Sequence, residues 1–230
     1  MFPLKDDNPA ALPPMITVAL IAACVLVFFW QLSLGQAQQA AVFAFGTVPA
    51  VLFGLAELPP ELQLIPAELT LVTSMFMHGG WMHIIGNMLY LWIFGNNVED
   101  AMGHVRFIVF YLVCGLAAVL AHALPGPEST VPMIGASGAI SGVLGAYLLL
   151  YPHARVLVAI PFGFIIQTFY LPAVAVLGLW FVIQLLNSAT TAAEGGGVAW
   201  GAHIGGFVAG MLLVPLFKRR DVPLWQRPGR

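Results

Sequence analysis

Between Met15 and Leu34 the chain runs for twenty residues without a charged side chain. A helix that spans a bilayer needs about 20 mostly apolar residues, so this stretch alone limits what the chain can fold into. It opens after Pro13-Pro14 and closes at Gly35. It reads as a retained helix and not as a signal peptide, because only Lys5 precedes it, beside Asp6 and Asp7. Five further apolar stretches follow: about Trp81–Asn96, Val105–Leu124, Ser137–Tyr151, 168–187 and Trp200–Phe217. Between the fourth and fifth, Pro161, Gly163 and Pro172 interrupt an apolar run, so 156–167 is expected to be a connecting segment.

Composition agrees with a membrane solvent. Only 8% of the 230 residues are charged, against about 25% in soluble domains. That excludes an ordinary water-soluble fold and a disordered chain. A net charge of -2 leaves no electrostatic footprint for nucleic acid. Cys24 and Cys114 both lie in apolar runs, which argues against a disulfide scaffold.

Six spans put both termini on one side. In that topology all eight Lys and Arg fall on the same side: Lys5, Arg106, Arg155, Lys218, Arg219, Arg220, Arg227 and Arg230. The positive-inside rule makes that side the cytoplasm. The expected organisation is a cytoplasmic tail over 1–14, a membrane domain over 15–217 and a basic cytoplasmic tail over 218–230. The outer loop of about 35–80 has no Lys or Arg and is broken by Pro49, Pro59, Pro60 and Pro66. It is expected to lie in the interface as short amphipathic helices.

Polar residues inside spans carry a functional hypothesis by default. Helix two opens on His78-Gly79-Gly80-Trp81-Met82-His83, with Asn87 one turn beyond His83. Helix four opens on Gly135-Ala136-Ser137-Gly138, and helix six carries Gly201-Ala202-His203. Their depths agree. His83 precedes Glu99 by 16 residues, or about 24 Å of helix. Ser137 precedes Pro152, and His203 precedes Lys218, by 15 residues each, or about 22 Å. All three polar groups therefore lie at one level below the outer surface.

A serine, an imidazole and an amide at one depth point to acyl transfer. A serine hydroxyl needs a base, and histidine is the usual one. The oxyanion formed on attack needs preset donors. Ser137 is the expected nucleophile and His203 the base. The Ser137 backbone N–H, the Asn87 amide and His83 are the expected oxyanion donors. No Asp or Glu lies at that depth, so the expectation is a dyad without a third acid. His203, Gly206 and Gly210 share one face of helix six; Ser137, Ser141 and Gly145 share one face of helix four. Small residues on facing stripes let helices approach closely, and Gly135 and Gly138 flank the serine.

These strings resemble the rhomboid intramembrane serine proteases over about Phe45 to Gly210. The matching residues are Thr73 to His83, Gly86-Asn87, Gly95, Val98-Glu99-Asp100, Gly103, Gly135-Ala136-Ser137-Gly138 and Ala202-His203-Ile204-Gly205-Gly206. The resemblance implies an all-α six-transmembrane-helix bundle and a Ser137–His203 dyad. It implies cleavage of transmembrane segments of other membrane proteins, with no metal and no cofactor. It also implies a gate at the fifth helix and a cap before the sixth, where Gly195-Gly196-Gly197 lies. The expected setting is a bacterial cytoplasmic membrane. Two features depart from the pattern. The tyrosine that some members stack on the histidine is Ser141 here, so His203 is expected to be held by hydrogen bonding instead. The Trp-Arg pair of some members' first outer loop is absent. Three other readings stand beside the protease: a transporter, a rhomboid-like protein that binds transmembrane helices without cleaving them, and a zinc or haem protein using His83 and His203.

Overall fold

The computed structural model describes residues 1–163, 165–191 and 198–226. The Gly195-Gly196-Gly197 cap, Arg227 and Arg230 lie outside the described residues. Nine α-helices are described: α1 (Met15–Ser33), α2 (Gln38–Phe45), α3 (Pro49–Leu52), α4 (Thr70–Thr73), α5 (Trp81–Met102), α6 (His104–Ala123), α7 (Ser137–Leu150), α8 (Ala173–Thr191) and α9 (Trp200–Phe217). Four of them, α1, α6, α8 and α9, are long and apolar enough to cross a membrane. α5 has 22 residues, and α7 has only 14.

The short α7 is the centre of the bundle. Every residue from Gly138 to Tyr147 is buried, as expected of a helix that is apolar all round. Its closest neighbour is α9, and the contact is backbone to backbone. A Cβ on Gly206 would collide with the Gly138 carbonyl oxygen, one on Gly210 with that of Gly142, and one on Gly145 with that of Phe207. The α7 face at this contact is therefore Gly138, Gly142 and Gly145. The expected stripe of Ser137, Ser141 and Gly145 is corrected accordingly. Ser137 and Ser141 sit on the adjoining face, because the hydroxyls turn toward a cavity while the bare glycines take the close approach. A neighbouring face of α9 packs on α6, where a Cβ on Gly205 would collide with that of Ala121.

The all-α expectation is corrected. β1 (Phe2–Asp6), β2 (Arg155–Phe162) and β3 (Ile165–Pro172) form an antiparallel sheet in the order β1-β2-β3. The segment 156–167 is thus a hairpin strand pair, turning at Gly163 with φ +61°. Val156 and Val158 alternate into the core, which is strand periodicity. The apolar run concealed it, because short buried strands and helices look alike in sequence. The hairpin moves the start of the fifth long helix from 168 to Ala173.

The 35–80 loop does form short helices, α2 to α4 with 3-10 turns between them. It is pinned to the segment before α7 by Thr47 and Met133, which exchange backbone hydrogen bonds of 3.0 and 2.7 Å. α5 and α6 are joined by Gly103 alone, at φ +79°, a conformation natural to glycine.

Candidate active site

Ser137 is the first residue of α7, where helical N–H groups have no intrahelical acceptor. The turn into the helix depends on Gly135, at φ +125°. Its N–H donates to the Ser74 carbonyl at 2.8 Å, which fastens the turn to the outer loop. A Cβ at Gly135 would stand 2.6 Å from His83 Nε2 and 3.7 Å from Ser137 Oγ. The missing side chain therefore leaves a small space open to both groups. Ser141, expected to help pack the helices, is buried and donates its hydroxyl to the Ser137 carbonyl at 2.6 Å.

The α7–α9 contact brings Ser137 and His203 together. Ser137 Oγ and His203 Nε2 are 2.8 Å apart. The other ring nitrogen, Nδ1, is 2.8 Å from Oε1 of Gln184, a buried residue of α8. The Gln184 amide nitrogen in turn donates to the Trp180 carbonyl at 3.0 Å. The rings of Trp180 and Trp200 flank the imidazole at 6.0 and 5.9 Å. Where a stacking tyrosine is missing, a neutral amide and two indoles surround the ring. Gln184 was not among the residues picked from sequence. The available signal was its place as the one strongly polar side chain between Ala173 and Leu186.

Asn87 and His83 reach the same space from α5. Asn87 is buried, and among the described residues its Nδ2 has no hydrogen-bond partner. Gly79 N–H donates to His83 Nδ1 at 3.2 Å, so a neutral His83 carries its proton on Nε2, the nitrogen that faces Gly135. Behind it lies His78, fully buried and 5.1 Å away ring to ring. His83, Asn87, Ser137, Ser141, Gln184 and His203 all line one cavity of about 1030 Å³. Among the described residues no group of three or more His, Cys, Asp or Glu is arranged to hold a metal.

A rhomboid domain matches residues 67–220, well over half of the 230-residue chain. The chain belongs to the rhomboid family. This rhomboid is 29% identical over 192 residues to Rhomboid protein 1, mitochondrial, of Saccharomyces cerevisiae, an alignment covering 74% of the chain and 51% of that protein. It is 29% identical over 167 residues to Rhomboid-like protein 11, chloroplastic, of Arabidopsis thaliana, covering 67% and 54%. With Rhomboid protease GluP of Bacillus subtilis it shares 33% identity over 136 residues, covering 59% and 24%. The rhomboid thus spans about half the length, or less, of these curated relatives. Its family and its long apolar helices make it an integral membrane protein.

Proposed function

We propose that this rhomboid is an intramembrane serine endopeptidase that cleaves transmembrane segments of other membrane proteins. The observation that carries the reading is the 2.8 Å contact between Ser137 Oγ and His203 Nε2 at the wall of a large cavity. His203 Nε2 accepts the Ser137 proton as Oγ attacks the scissile carbonyl carbon. The resulting oxyanion is met by the Asn87 amide, the His83 Nε2–H and the Ser137 N–H. The buried Asn87 N–H without an acceptor favours this assignment, because buried donors in native proteins are nearly always paired. His203 then passes its proton to the leaving amine, which departs as one product. A water molecule, deprotonated by His203, hydrolyses the acyl-serine and restores the hydroxyl. No metal or cofactor takes part in these steps.

In the same reading six helices cross the bilayer: α1, α5, α6, α7, α8 and α9. The fourteen residues of α7 extend about 21 Å, short of a hydrocarbon core of about 30 Å. The start of α7 thus lies within the slab, below the outer surface, where water reaches it through the cavity. The described cations Lys5, Arg106, Arg155, Lys218, Arg219 and Arg220 belong to the tails and to the α5–α6 and α7–β2 junctions. Arg155 pairs with Asp7 at 3.0 Å and Arg219 with Asp100 at 3.8 Å. This favours both termini facing the cytoplasm, and a bacterial cytoplasmic membrane is the setting proposed.

Incubation with a model transmembrane substrate in proteoliposomes tests the proposal. Ser137→Ala should lower cleavage at least about a thousandfold and leave the detergent melting temperature unchanged. A fluorophosphonate should label Ser137 in the parent protein. Cleavage by Ser137→Ala at the parent rate removes the serine from the chemistry. No cleavage or labelling by the parent protein favours a rhomboid that only binds transmembrane helices.

A further inference from the structure

We infer that Gln184 is the positioning residue of the proposed dyad: its amide fixes which nitrogen of His203 carries the proton. The inference rests on the protease reading but stands on different atoms.

The Trp180 carbonyl can only accept, and Gln184 presents one end of its amide to it at 3.0 Å. That end must be the NH2 group, since an oxygen there would face another oxygen. The amide oxygen is then the end that meets His203 Nδ1 at 2.8 Å. An amide oxygen accepts and does not donate, so Nδ1 must carry the hydrogen. In a neutral imidazole the other nitrogen is then the acceptor. That nitrogen, Nε2, lies 2.8 Å from Ser137 Oγ. The chain Trp180 carbonyl, Gln184 amide, imidazole and serine hydroxyl thus has one consistent set of donors, and in it the serine hydroxyl donates to His203.

Ring orientation follows from the same bond. An imidazole can also flip about its bond to Cβ, an exchange that puts Cδ2 and Cε1 where Nδ1 and Nε2 stood. The bond from Gln184 opposes that exchange, while the flanking indoles of Trp180 and Trp200 restrict tilt. Gln184 therefore does the orienting work that a carboxylate does in a triad, without a negative charge. A buried carboxylate here would need a cationic partner or would take up a proton. An amide has neither requirement. Because Gln184 stands on α8 and His203 on α9, the protonation pattern of the base depends on how α8 is seated.

The test compares Gln184→Leu, which has no acceptor, with Gln184→Glu, which keeps one. For Gln184→Leu we expect kcat to fall about tenfold to a hundredfold, part of the hundredfold or more that general-base catalysis contributes. KM and melting temperature should stay near the parent values. Nitrogen-15 spectra of histidine-labelled protein in detergent should show a His203 Nδ1–H signal that Gln184→Leu loses in favour of the Nε2–H form. Gln184→Glu should recover most of the lost kcat. Parent-like kcat in Gln184→Leu, or an Nε2–H His203 in the parent protein, overturns the inference. So does an equal loss in both variants together with a lowered melting temperature, the mark of a packing role. If Ser137→Ala proves fully active, it is the protease reading that fails; the nitrogen-15 spectra still decide the Gln184 bond.

Discussion

α5 buries polar side chains near both of its ends, and Glu99 and Asn87 stand there in opposite states. Near the C-terminal end, Glu99 is wholly buried with both oxygens doubly satisfied. Oε1 accepts from Ile16 N–H at 2.8 Å and from His104 Nδ1 at 2.6 Å. Oε2 accepts from Thr17 N–H at 2.8 Å and the Thr17 hydroxyl at 2.7 Å. The carboxylate also caps the start of α1, where helix N–H groups favour negative charge. Around it, Asp100 accepts from Ala11 and Leu12, and Asn97 donates to Asn8 while its own Oδ1 has no partner among the described residues. Near the N-terminal end, Asn87 keeps a buried amide hydrogen with no acceptor. The contrast sets a carboxylate that ties α5 to the N-terminal segment against an amide that lines the cavity.

Removing Glu99 should give the largest effect on this comparison. Glu99→Ala strands two backbone N–H groups, a hydroxyl and His104, and we expect it to lower stability by about 3–5 kcal/mol. Unfolding in a denaturing-detergent titration reads that loss, and turnover per folded molecule should stay close to the parent. An unchanged unfolding curve would erase the distinction between the ends. Asn87→Ala should do the reverse. It should reduce kcat about 100- to 1,000-fold while leaving the melting temperature unchanged or slightly higher, since it removes an unsatisfied buried group. A several-degree fall in melting temperature with normal kcat would move Asn87 among the structural residues.

The smallest effect concerns Asp6, a half-buried residue of β1 that accepts from the Tyr147 hydroxyl. Burial pushes its carboxyl from 3.8 up to about 6, although the Tyr147 hydroxyl donates to it and acts the other way. The folded protein thus holds a proton on Asp6 between about pH 4 and 6 that the unfolded chain releases. Asp6 then adds stability below that window, and the advantage is lost as pH rises through it. Asp6→Asn should flatten the dependence of melting temperature on pH between 4 and 7. A parallel slope in parent and variant would place the titration elsewhere.

Much of this arrangement was legible in the chain. The sixth apolar stretch, Trp200–Phe217, has the bounds of α9. Three others lie within a few residues of α1, α6 and α7. α5 runs six residues past its expected end because Asn97, Glu99 and Asp100, polar in sequence, find partners in the N-terminal segment. Such partners lie more than 80 residues away, and no local pattern encodes them. β1 escaped notice for the same reason: Phe2–Asp6 becomes a strand only by pairing with β2. At the candidate site, Ser137, His203, Asn87 and His83 stand in recognisable strings. Gln184 stands in none, since a single amide in an apolar helix has no spacing to read. Its meaning appears only when α8 is laid beside α9.

The glycine contact between α7 and α9 has one more consequence. Ser137 precedes Gly138 and His203 is one turn before Gly206, so both reactive side chains hang beside points where two main chains touch. Their spacing is gauged like the jaws of a caliper, by covalent framework that has no rotamer to change. Warming, or lipid tails of another length, would loosen side chains around the bundle long before it opened that gauge.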